Sequence, residues 1–471
     1  MNVLATPILT LPQVAQFAAG DLVVRDVPAT ASEREAMLRS GIGGASIDTR
    51  ALAAGDLFVP LRGSHTDGHR FLAEAFARGA ACALCERAAY PEWEGREPGA
   101  LVLVDDVTAA LQRLARRYRE SWTGLLVGVT GSAGKTATKD LVAAVLATAA
   151  PVLRTEGNLN NHWGVPLTLL RLRPEHQAAV VEMAMSGAGE IAALAAIARP
   201  GAAVITNAGV AHLGGAGLGT VEAIASEKAA LGFALAPGTP LIACAESPRL
   251  IAALAGVKAR LVTYAIEGAA DVRPERVEDL GPAGTRLHVT GFPPVTLAIP
   301  GRHQALNAMA AIAAAREWRI DPAAAAAAIG AYRAAKGRMQ VKTARAATLL
   351  IDCYNANPDS ARAALETLAG MPATRRIAVL GDMLELGPEA ARFHRETGAA
   401  IRGAEMWTVG AHAEDWATGA AEAGATARRF DDKASLAAAL ASALGPGVVV
   451  LLKASRGAAL EDLLAPLGVG D

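Results

Sequence analysis

Cysteine is scarce in this chain: Cys82, Cys85, Cys244 and Cys353 are the only four among 471 residues. So few thiols in a chain of this length exclude a disulfide framework. Two of them form a CxxC, "CALC" at 82–85, inside an apolar run with no second pair and no nearby histidine. Positions three apart on a strand face opposite ways, so no metal or redox centre is expected there. An excess of one charge is also missing. Lys+Arg 45 against Asp+Glu 46 leaves a net charge of -1, which gives no whole-chain attraction to nucleic acid or anionic lipid. No apolar run reaches the 18 residues of a membrane-spanning helix. The uncharged first twenty residues lack a basic leader, and Gln13 and Gln16 interrupt them. They read as a short helix with Thr10 at its cap, Pro12 in the first turn and Gly20 as the stop. A soluble cytoplasmic protein with no nucleic-acid partner and no membrane span is the expectation.

One further thing is lacking, the usual spacing of a phosphate loop. The standard form is G-x-x-x-x-G-K-[ST], yet counting back five residues from Gly134 in "VGVTGSAGKTATKD" reaches Val129. Gly128 and Gly131 are both out of register. The context is nevertheless right, because "GLLVGVT" is a buried strand and "ATKDLVAAVLAT" a helix on either side of the turn. Backbone N–H groups in such a turn point inward, and the helix start adds about half a positive charge. Gly131, Ser132, Ala133 and Gly134 would form the cradle, Lys135 would reach the outer phosphates, and the Thr136 hydroxyl would ligate Mg²⁺.

What the chain does have is three blocks of short apolar strands alternating with alanine-rich helices. They divide it at 1–104, 105–336 and 337–471. Continuous Val/Ile/Leu/Ala runs indicate strands buried on both faces, hence an α/β protein of parallel sheets covered by helices. The Pro- and Gly-rich stretch 271–300, with "RLHVT" and "VTLAI", reads as an irregular or antiparallel excursion. The hexa-alanine at 323–328 follows Asp321-Pro322, a helix start, and reads as helix. Glu182 ends the strand "AAVVE", and His212 follows the next strand in "ITNAGVAHLGG". In an open α/β sheet, ligands gather at strand carboxyl ends, which makes these two metal candidates beside the phosphate loop, although each alone could be a satisfied loop residue. Lys228, beside Glu227, is an ordinary helix lysine by its sequence chemistry.

Taken together, "GVTGSAGKTATK", "EGNLNNHWGVPLTLL", "ITNAGVAHL", "GRHQALNAMAA", "DCYNANPDS", "VLGDMLELG" and "LLKASRG" resemble the Mur ligases. The resemblance implies three domains: a UDP-sugar domain, a central P-loop ATPase-like parallel sheet and a Rossmann-like C-terminal domain. "YNANP" and "GDMLELG" resemble the branch that adds D-Ala-D-Ala to UDP-MurNAc-tripeptide using ATP and Mg²⁺. Carried over position by position, Lys135 and Thr136 would hold phosphates and Mg²⁺, with Glu182 and His212 near the metals. Lys228 matches a lysine that is carbamylated in relatives and so becomes an anionic metal ligand. Asn307 matches an adenine contact, and Arg338 an arginine that reaches the phosphates. Asp352 and Tyr354 match nucleotide contacts. Asp48, Thr49 and Arg50 match the UDP-sugar end, and Asn160 and Asn161 the substrate loop. Asn355, Asn357, Lys453, Ser455 and Arg456 match the dipeptide region. Departures from the pattern are Ala184, Ala230, Gln304, Ile351 and Ala454, none of them a proposed phosphate or metal ligand. A monomer is expected. The alternatives are a Mur or folylpolyglutamate-type ligase with another substrate, and a P-loop kinase or nucleotide-gated switch.

Overall fold

The computed structural model describes residues 7–24, 40–63, 66–210 and 218–470; His212 lies outside them. The chain packs into two compact units, one of residues 1–128, 150–184 and 190–202, the other of 129–149, 185–189 and 203–471.

In the first unit a five-stranded sheet runs in the order Asp21–Val23, Leu101–Val104, Cys82–Glu86, Leu57–Phe58, Ala45–Ser46. All pairings are parallel except that of Asp21–Val23 with its neighbour. Leu101 to Val104 are all buried, as a strand covered on both faces requires. Helix Leu11–Ala18 starts as expected, with the Gln13 carboxamide accepting from the Thr10 N–H at 2.9 Å. Its stop differs from the expectation. The left-handed residue is Ala19, at φ 55°, whereas Gly20 is needed because a Cβ there would lie 2.6 Å from the Leu103 carbonyl. Helix Val107–Glu120 is capped by Asp106, which accepts from the Ala109 N–H at 2.6 Å. It buries Val107, Ala110, Leu111, Leu114, Ala115 and Tyr118, one stripe at helical spacing. From that stripe's edge, Arg113 donates to the Ala18 carbonyl at 3.0 Å and the Tyr118 hydroxyl to that of Leu172 at 2.8 Å. Strand Leu125–Thr130 begins in this unit, beside Ala178–Glu182 and then the parallel strand Val152–Arg154.

In the second unit the order from the end of Leu125–Thr130 is Ala202–Ile205, Pro240–Cys244, Arg260–Tyr264, the last three joined in parallel. The expected excursion is an antiparallel sheet of Arg276–Asp279, Thr285–His288 and Val295–Leu297. The hexa-alanine lies in helix Pro322–Ala331, and Asp321 caps it by accepting from the Ala324 N–H at 2.8 Å. The last sheet has the order Gln340–Ala344, Ala347–Asp352, Val448–Lys453, Arg375–Leu380, Glu405–Val409, Ala427–Phe430. Only its first pairing is antiparallel. All four cysteines are free and buried; burial pushes Cys82, Cys85 and Cys353 up to about 12 and Cys244 to about 11. Among the described residues no helix is long and apolar enough to cross a membrane.

Candidate active site

The phosphate loop leaves the buried strand Leu125–Thr130 and enters helix Lys135–Leu146. Its two glycines explain the shifted spacing. At φ 154°, Gly131 passes so close to Thr206 that a Cβ would overlap the Oγ1. Gly134, at φ 78°, presses on Asn307 in the same way. Asn207 holds the turn from behind. Its Oδ1 accepts from the Ser132 and Ala133 N–H groups at 3.1 and 2.9 Å, and its Nδ2 donates to the Ala133 carbonyl at 3.1 Å. The Thr206 hydroxyl donates to the same carbonyl at 2.6 Å. Ser132 Oγ donates to the Gly209 carbonyl at 3.1 Å and accepts from the Gly209 N–H at 3.0 Å. With their amides engaged by Asn207, Ser132 and Ala133 fix the loop's shape. Lys135 Nζ arcs over the turn to the Gly131 carbonyl at 2.8 Å, and Thr136 is buried.

Asn307 is buried on helix Arg302–Glu317, where it accepts from the Thr138 hydroxyl at 3.2 Å and donates to Gln304 at 3.2 Å. That position braces the turn below Gly134. Lys228, on helix Val221–Phe233, is only 1% exposed. Burial and, next, the charge of Lys135 drive its pKa well below the ordinary lysine value, with Glu227 opposing. A buried amine of this kind is held toward its neutral, nucleophilic form.

In the first unit Glu182 is 1% exposed at its strand end and accepts from the Asn160 carboxamide at 2.7 Å. The Glu182 N–H donates to the Thr155 hydroxyl at 2.9 Å, and the Asn160 carbonyl accepts from the Ala184 N–H at 2.8 Å. Asn161 is turned to its own loop, accepting from the Trp163 and Gly164 N–H groups at 3.1 and 2.8 Å. Asp48 and Arg50 form an exposed pair at 2.7 Å that lowers the Asp48 carboxyl to about 2, while Thr49 donates to Glu74 at 3.0 Å. Of the expected metal set, Glu182 belongs to the first unit, Thr136 and Lys228 belong to the second, and His212 lies outside the described residues. Among the described residues no three His, Cys, Asp or Glu side chains converge on a metal position.

At the carboxyl edge of the last sheet, Asp352 and Lys453 are direct register partners joined at 2.7 Å. Lys453, 2% exposed, also donates to the Asn355 carbonyl at 2.7 Å. The Tyr354 ring lies under the Arg338 guanidinium at 4.0 Å and faces that of Arg456 at 5.4 Å. Ser455 Oγ donates to the Ala356 carbonyl at 3.2 Å and accepts from the Leu384 N–H at 3.0 Å. Asn355 accepts from the Ala356 N–H, and Asn357 caps helix Pro358–Gly370 by accepting from Ser360 at 2.8 Å. Seven of the sequence-selected residues therefore gather here: Arg338, Asp352, Tyr354, Asn355, Lys453, Ser455 and Arg456. Sequence reasoning missed Thr206, Asn207, Gly209 and His303. The first three lie in "ITNAGVAHL", singled out only for His212, although polar residues directly after an apolar strand were themselves the signal. His303 has a buried Nδ1 without a partner, and burial, then the charge of Lys453, takes it down to about 4 against the pull of Asp352.

Comparison with known proteins bears on these groups. Three family models match in succession: Mur ligase family, catalytic domain, at 41–119; Mur ligase middle domain at 129–315; and Mur ligase, glutamate ligase domain, at 337–456. UDP-N-acetylmuramoyl-tripeptide–D-alanyl-D-alanine ligase of Bacillus subtilis is 37% identical over 439 residues, 90% of this chain and 93% of that protein. The chain belongs to the Mur ligase family. This Mur ligase is also 34% identical to the Escherichia coli protein of the same name, over 94% of this chain and 98% of that one. Among solved structures, MurF of Acinetobacter baumannii superposes with a TM-score of 0.85 at 29% identity, covering 97% and 98% of the two chains. MurF of Thermotoga maritima, solved in complex with ADP, gives 0.78 at 28% identity, covering 90% and 96%. The α/β class expected from the strand runs, with its parallel sheets, is the fold observed.

Proposed function

We propose that this Mur ligase uses ATP to join D-Ala-D-Ala to the carboxylate of UDP-MurNAc-tripeptide, forming an amide. The observation that carries this reading is its similarity, over about nine-tenths of both chains, to ligases named for that reaction. ATP with Mg²⁺ would supply the γ-phosphoryl group that makes the acceptor carboxylate an acyl phosphate, a better electrophile. The loop's task is to hold the triphosphate beside that carboxylate despite their repulsion. Lys135 and the start of helix Lys135–Leu146 offset negative charge where it builds up. At an effective dielectric near 20, one unit pair at 4 Å is worth roughly 4 kcal/mol.

The donors fit a hard cation only in part. Thr136 and Glu182 offer oxygen, but a lysine ammonium does not. The depressed pKa of Lys228 supports a carbamate: the neutral amine adds carbon dioxide, forms an N–C bond, releases a proton and becomes an anionic oxygen ligand. His212 would complete the set. Asp48, Thr49 and Arg50 would meet the UDP end, with Asn160 and Asn161 on the peptide. Asn307, Arg338, Asp352 and Tyr354 would serve the nucleotide. Asn355, Asn357, Lys453, Ser455 and Arg456 would serve the dipeptide, whose carboxylate suits a guanidinium fork. The working division is 1–104 for the UDP-sugar, 105–336 for ATP and 337–471 for the dipeptide, in a cytoplasmic monomer. Bringing amine and acyl phosphate together while excluding water would favour amide over hydrolysis.

ADP release is the test. It should require both UDP-MurNAc-tripeptide and D-Ala-D-Ala, and the product should gain the dipeptide's mass less one water. A stable phosphorylated product from the nucleotide sugar alone would make the protein a kinase, and turnover with a different amino acid would move it within the family.

A further inference from the structure

The segment that braces the phosphate loop is held on its other side by the last sheet's helix. Ser132 and Gly209 exchange two hydrogen bonds. One residue further on, the Val210 N–H donates to Asp359 Oδ2 at 2.7 Å. Asp359 sits in the first turn of helix Pro358–Gly370, directly after the run 354–357 that carries Tyr354, Asn355 and Asn357. Gly209 leaves no space between the two, because a Cβ there would overlap the same carboxylate oxygen. Arg362 steadies the other oxygen at 3.4 Å. The path from phosphate loop to last sheet is therefore short: a buried hydroxyl, two residues of backbone and one carboxylate.

We propose that Asp359 is a positioning residue that couples nucleotide binding at the phosphate loop to dipeptide binding at the edge of the last sheet. This inference rests on the placement of the two ligands given under Proposed function. Three features make the link stiff. Ser132 is fixed by bonds from its hydroxyl and its amide, Asp359 has a short side chain on a capped helix, and the glycine between them fits without slack. Shape changes at the loop then reach the helix start and, through it, Tyr354 and Lys453. Such a coupling is reciprocal: whatever factor the dipeptide applies to nucleotide affinity, the nucleotide applies to dipeptide affinity.

The experiment measures ADP affinity of the full chain, by calorimetry, with and without saturating D-Ala-D-Ala. It uses wild type, Asp359→Ala, Asp359→Asn and Gly209→Ala, with melting curves to confirm folding. In wild type the dipeptide should change ADP affinity by a factor in the roughly 5–150-fold range of coupled sites. That factor should fall to about one in Asp359→Ala and Gly209→Ala, and survive in Asp359→Asn, whose carboxamide oxygen still accepts from Val210. No dipeptide effect in wild type, or the same effect in Asp359→Ala, overturns the coupling. Wild type that releases ADP with dipeptide yet gives either result loses the coupling alone; wild type that never turns over with dipeptide loses the functional reading and the coupling with it.

Discussion

Lys135 and Lys228 show how one charge can set the state of another. They lie close enough that Lys135 helps to depress the pKa of Lys228, so the two are not independent probes. Lys135→Ala is expected to cut ADP release about a thousandfold, the equivalent of the roughly 4 kcal/mol estimated for one charge pair. A loss below tenfold in steady-state assays would remove this lysine from the chemistry. For Lys228 the sign follows from its lowered value. Between that value and the ordinary 10.5, the unfolded chain binds more protons than the folded one, so stability rises with pH across that window and is lost as pH falls through the folded value. Lys228→Met should flatten this dependence in melts taken from neutral to alkaline pH, and should abolish turnover. If the carbamate reading holds, short carboxylates should restore part of the activity of Lys228→Ala, and the wild-type peptide should carry the added mass of carbon dioxide. An unmodified mass with no rescue would count against it. None of this was legible from "SEKAAL", because a lysine beside a glutamate on a helix gives no sign of burial; only the family resemblance pointed to it.

The loop and its brace form the next level. Asn207→Ala leaves the Ala133 amide without its acceptor in a half-buried turn, while the Ser132 amide keeps the Asn207 main-chain carbonyl, a loss of about 1–3 kcal/mol. The KM for ATP is therefore expected to rise by about tenfold or more, and a KM within twofold of wild type would mean the turn keeps its shape unaided. Asp321→Ala should cost about 0.5–2 kcal/mol in denaturant titration, since it removes the cap of helix Pro322–Ala331 and touches no proposed ligand. Elements with strong local signals were readable in advance: the hexa-alanine helix from Asp321-Pro322, and the central strands from unbroken apolar runs. The edge strands Gln340–Ala344 and Ala427–Phe430 were not, because "QVKTA" is half exposed and "ARRF" carries two charges. Edge strands are covered on fewer sides, so their composition resembles that of loops. Asn207 escaped for a related reason, since a side chain serving the backbone of a distant turn leaves no local pattern.

Across the whole chain, sequence blocks and packed units follow different lines. The working boundary near 104 precedes helix Val107–Glu120, yet that helix packs on Leu11–Ala18 and sends Arg113 to the Ala18 carbonyl. A fragment ending at 104 should therefore melt earlier and less cooperatively than one ending at 123, which keeps the helix and its buried stripe. Equal circular-dichroism melts would support the boundary at 104. Strand Leu125–Thr130 runs from one unit into the other, so no single cut separates them cleanly. The four native thiols lie buried and keep their protons well into alkaline pH, and only a thiolate attacks electrophilic reagents readily. The unaltered polypeptide is consequently a silent background for maleimide chemistry. A pair of cysteines introduced on its surface would take up dyes alone, and energy transfer between those dyes could be followed as substrates are added.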